Sequence, residues 1–306
     1  MARIGWVPRI PPGTAVLLAG VAVGVPGTFG VVLGNQLNRA RRAKFLPRPG
    51  YAIDVQVEPP WVSGPPLRVA FLGDSLVEGV GAPRPGQSLP AQTAYRLAAH
   101  LGRPVHMRGY GIASSRIAQV LAQQVPLLTE DVDLVVVLVG ANDAAHGTPP
   151  WDFARAVETL ARDAHDRTGG APVVFTGLPH LDAAPLLSWP LRGVAGAIGD
   201  TLHAIQRRLA LRLPEARYID MRCEVGHTFR SRARELFADD RYHPNPTGYA
   251  LLGEAIARSL TSMLQGEDAP QHEAATEAER QQIHADALAE LSSLPGMPQA
   301  RDAQAA

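Results

Sequence analysis

Residues 132–139, which read VDLVVVLV, indicate the fold class of this chain most clearly. The apolar residues of this stretch are mostly β-branched, and they follow one another without the polar alternation of a half-exposed strand. Such a run is typical of a central strand that is covered on both faces, as in parallel sheets. It therefore indicates a buried strand in a sheet that has helices on each side.

The sequence around this run alternates between strand and helix patterns. Further strands are predicted at residues 67–72, 104–109, 172–176 and 216–220, and helices at about 88–101, 114–125, 151–166, 194–213 and 247–264. This alternation over residues 67–265 predicts an α/β domain with three layers, α/β/α, around a mostly parallel five-stranded sheet. Ligands bind beyond the carboxyl ends of the strands in that architecture, so the informative residues should follow strands.

Composition narrows the class of protein. The 306 residues include 29 basic and 29 acidic side chains, which argues against a nucleic-acid partner held by a general basic field. The single cysteine, Cys223, excludes an intramolecular disulfide framework and a cysteine-rich zinc site. The histidines do not have the spacing of metal ligands, so no metal and no other cofactor is expected.

The two ends of the chain differ from its middle. Residues 1–45 are a basic leader whose uncharged stretch, 14–34, is long enough for one transmembrane helix of ~20 residues. We therefore predict a membrane-associated protein with one N-terminal anchor; a cleaved signal peptide with secretion, or a soluble glycine-rich leader, are the alternatives. Residues 46–66 form a proline-rich linker expected to lack regular structure. Residues 266–306 form an acidic tail, expected to be partly disordered.

Two polar clusters follow the first two predicted strands. Gly73-Asp74-Ser75-Leu76 places a serine hydroxyl and its backbone N–H at the rim of the sheet. The turn at residues 109–116 is rich in glycine and serine and presents free N–H groups as it enters a helix. Taken singly, each cluster is equally well explained as a helix cap.

Two further clusters come later in the chain. Asn142 follows the central strand, and its amide could donate to a developing oxyanion, although a turn built by Asn and Asp side chains is the alternative. Asp240 precedes His243 by three residues in a loop before the last helix. The carboxylate could orient the imidazole, which could then take a serine proton. A solvated histidine in a proline-containing loop is the alternative.

The four clusters occur in this order, each near the end of a strand or before the last helix. Over about residues 67–264 this pattern resembles that of the SGNH (GDSL-type) hydrolase family. The resemblance implies a flavodoxin-like sheet and a serine esterase or lipase-like enzyme that acts on a small-molecule or lipid acyl ester. It also implies Ser75 as nucleophile, His243 as general base and Asp240 as the orienting carboxylate. The N–H of Ser75 and the amide of Asn142 would stabilise the oxyanion.

The second backbone donor to the oxyanion is where the chain departs from the family pattern, which usually has a glycine there. By spacing, that position is Ser114, three residues after Gly111. A serine can supply the N–H if its backbone torsion is not one reserved for glycine. The candidate substrate pocket comprises Asp74, Gly111, His146 and His180.

Three functions remain open at this point. The first is ester hydrolysis through an acyl-enzyme on Ser75. The second is acyl transfer or deacylation on a lipid or envelope sugar, which would use the same residues. The third is a non-catalytic binding module on the same fold. The natural substrate and the oligomeric state are not specified by these patterns.

Overall fold

The computed structural model describes residues 27–59 and 64–266, and a mixed sheet forms the middle layer of this part of the chain. Three short 3₁₀ turns lie at Pro85–Gln87, Val125–Leu127 and Leu181–Ala183. In chain order the other elements are α1 (Gly27–Arg41), β1 (Ile53–Val57), β2 (Leu67–Gly73), α2 (Ser75–Glu78), α3 (Leu89–Leu101), β3 (Val105–Gly109), α4 (Ile117–Gln123), β4 (Leu134–Leu138), α5 (Ala141–His146), α6 (Pro150–Arg167), β5 (Val173–Phe175), α7 (Leu191–Ala210), β6 (Ala216–Tyr218), α8 (Met221–Ser231), α9 (Ala233–Leu236) and α10 (Pro246–Gln265).

The strand order confirms the predicted fold class. The sheet runs β1-β3-β2-β4-β5-β6, and the last five strands of this order are parallel to one another. Those five are the predicted strands, and in sequence they follow the order second, first, third, fourth, fifth, which is the flavodoxin-like arrangement. The chain crosses from one side of the sheet to the other between β3 and β4, so a crevice opens at the carboxyl ends of β2 and β4.

The central strand β4 is buried at every position, as its sequence predicts. Val135 and Val137 belong to the apolar core on one face, together with residues of α6 and α7. Leu134 and Val136 belong to the core on the other face, together with residues of α3 and α10. Successive side chains of a strand point to opposite faces, so one apolar run supplies both cores.

The prediction that residues 46–66 lack regular structure is wrong at β1. Ile53–Val57 forms an antiparallel edge strand on β3, with Ile53 opposite Gly109. The prolines of this segment lie on either side of the strand and none lies inside it, so they do not remove any of its ladder hydrogen bonds. The sheet therefore has six strands in the described residues, not the predicted five.

The predicted membrane segment falls mainly on residues 14–26, outside the described part of the chain, and its remainder begins α1. Among the described residues, no helix combines the length and the apolar character needed to cross a bilayer. Instead, Gln36 of α1 donates to the Trp189 carbonyl at 2.7 Å and accepts from the Leu191 N–H at 3.0 Å. The anchor stays a prediction from sequence, and the acidic tail from residue 267 onward also lies outside the described residues.

Candidate active site

Ser75 lies where β2 passes directly into the short helix α2. A side chain at Gly73 would place its Cβ 2.3 Å from the Leu138 carbonyl oxygen, so only glycine lets the end of β2 approach β4 this closely. The Asp74 carboxylate accepts from the Leu76 N–H at 3.1 Å and caps α2. As the first residue of α2, Ser75 has no intrahelical acceptor for its own N–H.

A hydrogen-bonded row joins Ser75, His243 and Asp240. The Ser75 Oγ lies 3.0 Å from His243 Nε2, and His243 Nδ1 lies 2.6 Å from Asp240 Oδ2. The other carboxylate oxygen of Asp240 accepts the N–H groups of Tyr242 and His243, both at 3.0 Å. The loop before α10 thus holds the imidazole between a carboxylate and a hydroxyl, although 168 positions separate the serine from the histidine.

Asp240 is held in its charged form. Burial of its side chain, 1% exposed, would raise the pKa, but the hydrogen bonds from the His243 side chain and from the two backbone N–H groups lower the pKa to about 2. A carboxylate only accepts hydrogen bonds, so His243 Nδ1 must carry the proton. Nε2 is then free to accept a proton from Ser75.

Asn142 lies in α5, the helix that follows β4, and β4 is the neighbour of the strand that leads to Ser75. Its side-chain Nδ2 donates to the Asp74 carboxylate at 3.1 Å and to the Ser115 carbonyl at 3.2 Å, so both amide protons have acceptors within the chain. Asp74 is 1% exposed, and burial raises its pKa to about 6, against the opposing hydrogen bond from Leu76. These contacts hold the amide at the wall of a cavity beside Ser75.

The turn after β3 carries the remaining predicted donor. Ser114 has a φ of 66°, in the left-handed region that favours glycine, although serine can occupy it. Within the described part of the chain its N–H has no hydrogen-bond acceptor. Gly111, three residues earlier, packs against α2, and an added Cβ would lie 2.2 Å from the Glu78 nitrogen. Gly111 therefore shapes this turn and does not line the cavity.

The cavity beside Ser75 has a volume of about 80 Å³ and mostly apolar walls. Val225 and Phe229 of α8, Phe237 and the 3₁₀ turn Leu181–Ala183 supply much of its lining. Of the predicted pocket residues, Asp74 and His180 line it. His146 is not among the lining residues, because its Nδ1 contacts the backbone oxygen of Asn142 at 2.8 Å, at the end of α5.

Two features of this site were not predicted from the sequence. The wall formed by α8 was not predicted, although Met221, Val225 and Phe229, each four residues from the next, give residues 221–231 an apolar face that could have indicated a helix. The contact of Leu46 with Asp240 was missed because nothing in a proline-rich segment marks a tertiary hydrogen bond. In the described ranges, no three His, Cys, Asp or Glu side chains are grouped as metal ligands would be.

Residues 71–251, which contain every element of the Ser75–His243–Asp240 row, match the model of the GDSL-like lipase/acylhydrolase family. The chain belongs to that family. The family resemblance found in the sequence is thereby confirmed, and with it, at the level of the family, the expectation of an ester-hydrolysing enzyme.

The chain is also similar to individual known proteins. The GDSL-like esterase Rv1075c of Mycobacterium tuberculosis is 26% identical over 212 residues, which cover 68% of this chain and 66% of that protein. The structure of LAE5, an α/β hydrolase enzyme from the metagenome of Lake Arreo, aligns with a TM-score of 0.50 at 17% identity, over 64% of this chain and 95% of LAE5. The lipase/acylhydrolase of Enterococcus faecalis aligns at a TM-score of 0.47 and 20% identity, over 67% of this chain and 99% of that structure.

Proposed function

We propose that this GDSL-like hydrolase cleaves carboxylic esters through an acyl-enzyme formed on Ser75. The observation that carries the proposal is the row of hydrogen bonds from Ser75 Oγ through His243 to Asp240, at 3.0 and 2.6 Å. A serine hydroxyl is a weak nucleophile at neutral pH unless a neighbouring base takes its proton. The imidazole is in position to do this, with its tautomer fixed by Asp240.

The first half of the reaction forms the acyl-enzyme. His243 Nε2 takes the Ser75 proton as Oγ attacks the ester carbonyl carbon. The N–H of Ser75, the N–H of Ser114 and the amide of Asn142 would stabilise the resulting oxyanion. For Asn142 this requires that one of the two hydrogen bonds of its amide, to Asp74 or to Ser115, be shared with the oxyanion or broken. The carbon–oxygen bond to the alcohol then breaks, and the imidazolium gives its proton to the departing alcohol.

The second half regenerates the serine. His243 takes a proton from water, which attacks the acyl carbonyl and forms a second tetrahedral oxyanion at the same donors. Its collapse breaks the bond to Ser75 Oγ, which recovers the proton from His243, and a carboxylic acid leaves. No step uses a metal or another cofactor.

The cavity favours an apolar acyl group in the substrate. Val225, Phe229 and Phe237 offer an acyl chain no hydrogen-bond partners, and its transfer there from water contributes about 0.8 kcal/mol per buried methylene. The name of the tuberculosis relative, an esterase, agrees with a carboxylic ester as substrate. The alcohol part would lie toward the open mouth of the cavity.

Labelling with a fluorophosphonate probe tests the proposal directly. The wild-type full chain should be labelled and should hydrolyse p-nitrophenyl esters, while Ser75→Ala should lose both activities. Ser188→Ala is the matched control, since this exposed serine lies outside the row and should leave both unchanged. A folded wild-type protein that neither takes the label nor hydrolyses p-nitrophenyl esters of short or long acyl chains would overturn the proposal in favour of a binding module.

A further inference from the structure

A short irregular segment before β1 covers the back of the His243–Asp240 pair. We call residues 45–51 the strap; they lie outside the stretch, 71–251, that matches the family model. The Phe45 ring contacts the imidazole of His243 edge-on, with 5.8 Å between ring centroids, and it lies 5.2 Å from the Tyr242 ring. Next to it, the Leu46 N–H donates to Asp240 Oδ2 at 3.2 Å.

The Leu46 bond reaches the same carboxylate oxygen that accepts from His243 Nδ1. The other oxygen of Asp240 already accepts two backbone N–H groups of its own loop. An ionised carboxylate has about four lone-pair sites, so the strap supplies the donor that completes the set. Among these donors, Leu46 is the only one that comes from outside the loop of residues 240–243.

Other contacts keep the strap in place. Arg48 Nε lies 2.5 Å from Glu78 Oε1, and the second oxygen of Glu78 accepts the Ala113 N–H at 2.6 Å. The Tyr51 hydroxyl donates to the Ala82 carbonyl at 2.8 Å. Through Glu78, the segment that touches Asp240 is therefore also linked to the turn that carries Ser114.

We infer that Leu46 and Phe45 are positioning residues, which fix Asp240 and His243 in the orientation that lets Nε2 face Ser75. The inference rests on the proposed function, because it assigns these residues a role in the same row. It follows from the geometry of donors and rings. A carboxylate held from two sides cannot rotate about its terminal bond, and a ring packed edge-on restricts the tilt of the imidazole.

Two substitutions of Leu46 in the full chain separate the N–H from the side chain. Leu46→Pro removes the donor, and we expect kcat for a p-nitrophenyl ester to fall about tenfold with KM little changed, since a bond to a charged group is lost. Leu46→Ala keeps the N–H and should retain kcat within about twofold. The rate of fluorophosphonate labelling should follow kcat. Equal kcat values for the two variants would overturn the role of the Leu46 N–H.

Phe45 gives an independent test, which also decides the matter should Leu46→Pro fail to fold. Phe45 is 46% exposed, so Phe45→Ala removes a contact of His243 without opening the core. We expect kcat to fall about threefold and Phe45→Tyr to restore it. An unchanged kcat in Phe45→Ala would overturn the positioning role of the ring. Failure of the wild type itself to label or hydrolyse would instead refute the proposed function, so the two failures are distinguishable.

Discussion

Asn142 donates its side-chain amide to the carboxylate of Asp74 over 3.1 Å, and this bond joins the carboxyl ends of β2 and β4 at the candidate active site. Asp74 begins the turn that holds Ser75, whereas Asn142 belongs to the helix that follows the central strand. The buried carboxylate is therefore a brace between the proposed nucleophile and a proposed oxyanion donor. Its titration should be visible in the stability of the protein.

Asp74 should make the wild type less stable as the pH rises. Burial raises its pKa from 3.8 to about 6, so its contribution to stability is fully present below pH 3.8 and is lost as the pH rises through 6. Relative to Asp74→Asn, the free energy of unfolding of the wild type should fall by about 2 kcal/mol between pH 4 and pH 7. Urea unfolding of both proteins at several pH values measures this difference.

Asp152→Asn serves as the control for this titration, because its side chain is 50% exposed. The difference between the wild type and this variant should be flat over the same pH range. A flat difference for Asp74→Asn as well would show that Asp74 is ionised at no cost to stability and would contradict the prediction.

Removal of the Asn142 amide should slow the chemical step. We expect Asn142→Ala to lower kcat by about 10²–10³, the effect of losing one oxyanion donor, with a small change in KM. Steady-state kinetics on a p-nitrophenyl ester provide the measurement. His146→Ala, one turn later in α5, is the control, since His146 does not line the cavity. If both variants retained wild-type kcat, Asn142 would not be an oxyanion donor.

Much of the fold could be predicted because its signals are local. The unbroken apolar run at 134–139 favours a position between two layers of helices, and the structure buries β4 on both faces. Edge strand β1 carries a weaker signal. Val55 and Val57 alternate with polar residues over only five positions, and the neighbouring prolines mask the pattern.

The candidate site likewise has one part that the strand pattern predicts and one contact that it does not. Ser75 follows β2 and Asn142 follows β4, and parallel strands end at one edge, so their proximity is implied by the alternation of strands and helices. The contact of Leu46 with Asp240 has no such origin. It joins positions 194 residues apart, and it depends on the path of an irregular segment that no periodicity describes.

The negative charge of Asp240 should be required for full catalytic activity. Asp240→Asn cannot enforce the Nδ1–H tautomer of His243, and we expect kcat to fall by about 10³–10⁴ while the fold is retained. Circular dichroism together with kinetics checks this expectation. Asp239→Asn is the matched control, because this adjacent aspartate is exposed. In the described part of the chain, the carboxylate that pairs with His243 is that of Asp240. A larger loss in Asp239→Asn than in Asp240→Asn would reverse the assignment.

Ser114 occupies a left-handed conformation, with a φ of 66°, that glycine adopts more readily. Ser114→Gly keeps the backbone N–H and should raise the free energy of unfolding by about 1 kcal/mol while activity is retained. Ser114→Val should destabilise, since a β-branched side chain is least tolerated there. Thermal unfolding of the three proteins gives the ranking. The opposite order of glycine and valine would show that this torsion is not maintained in solution.

Val225 should set the length of the acyl chain that the enzyme accepts. It lies on α8 and lines the cavity of about 80 Å³ beside Ser75. In the wild type, kcat/KM for p-nitrophenyl esters should rise by about fourfold per added methylene until the cavity is full. Val225→Phe reduces the cavity, so this rise should stop at a shorter chain while the acetyl ester is still hydrolysed.

Leu264→Phe is the control for added volume, because Leu264 is 40% exposed and is not among the lining residues. Its chain-length profile should match that of the wild type. A Val225→Phe profile that also matched the wild type would place the acyl chain elsewhere, toward the open mouth of the cavity. The alcohol part of the ester would then occupy the apolar walls, and a series that varies the alcohol at constant acetyl should show the length dependence instead.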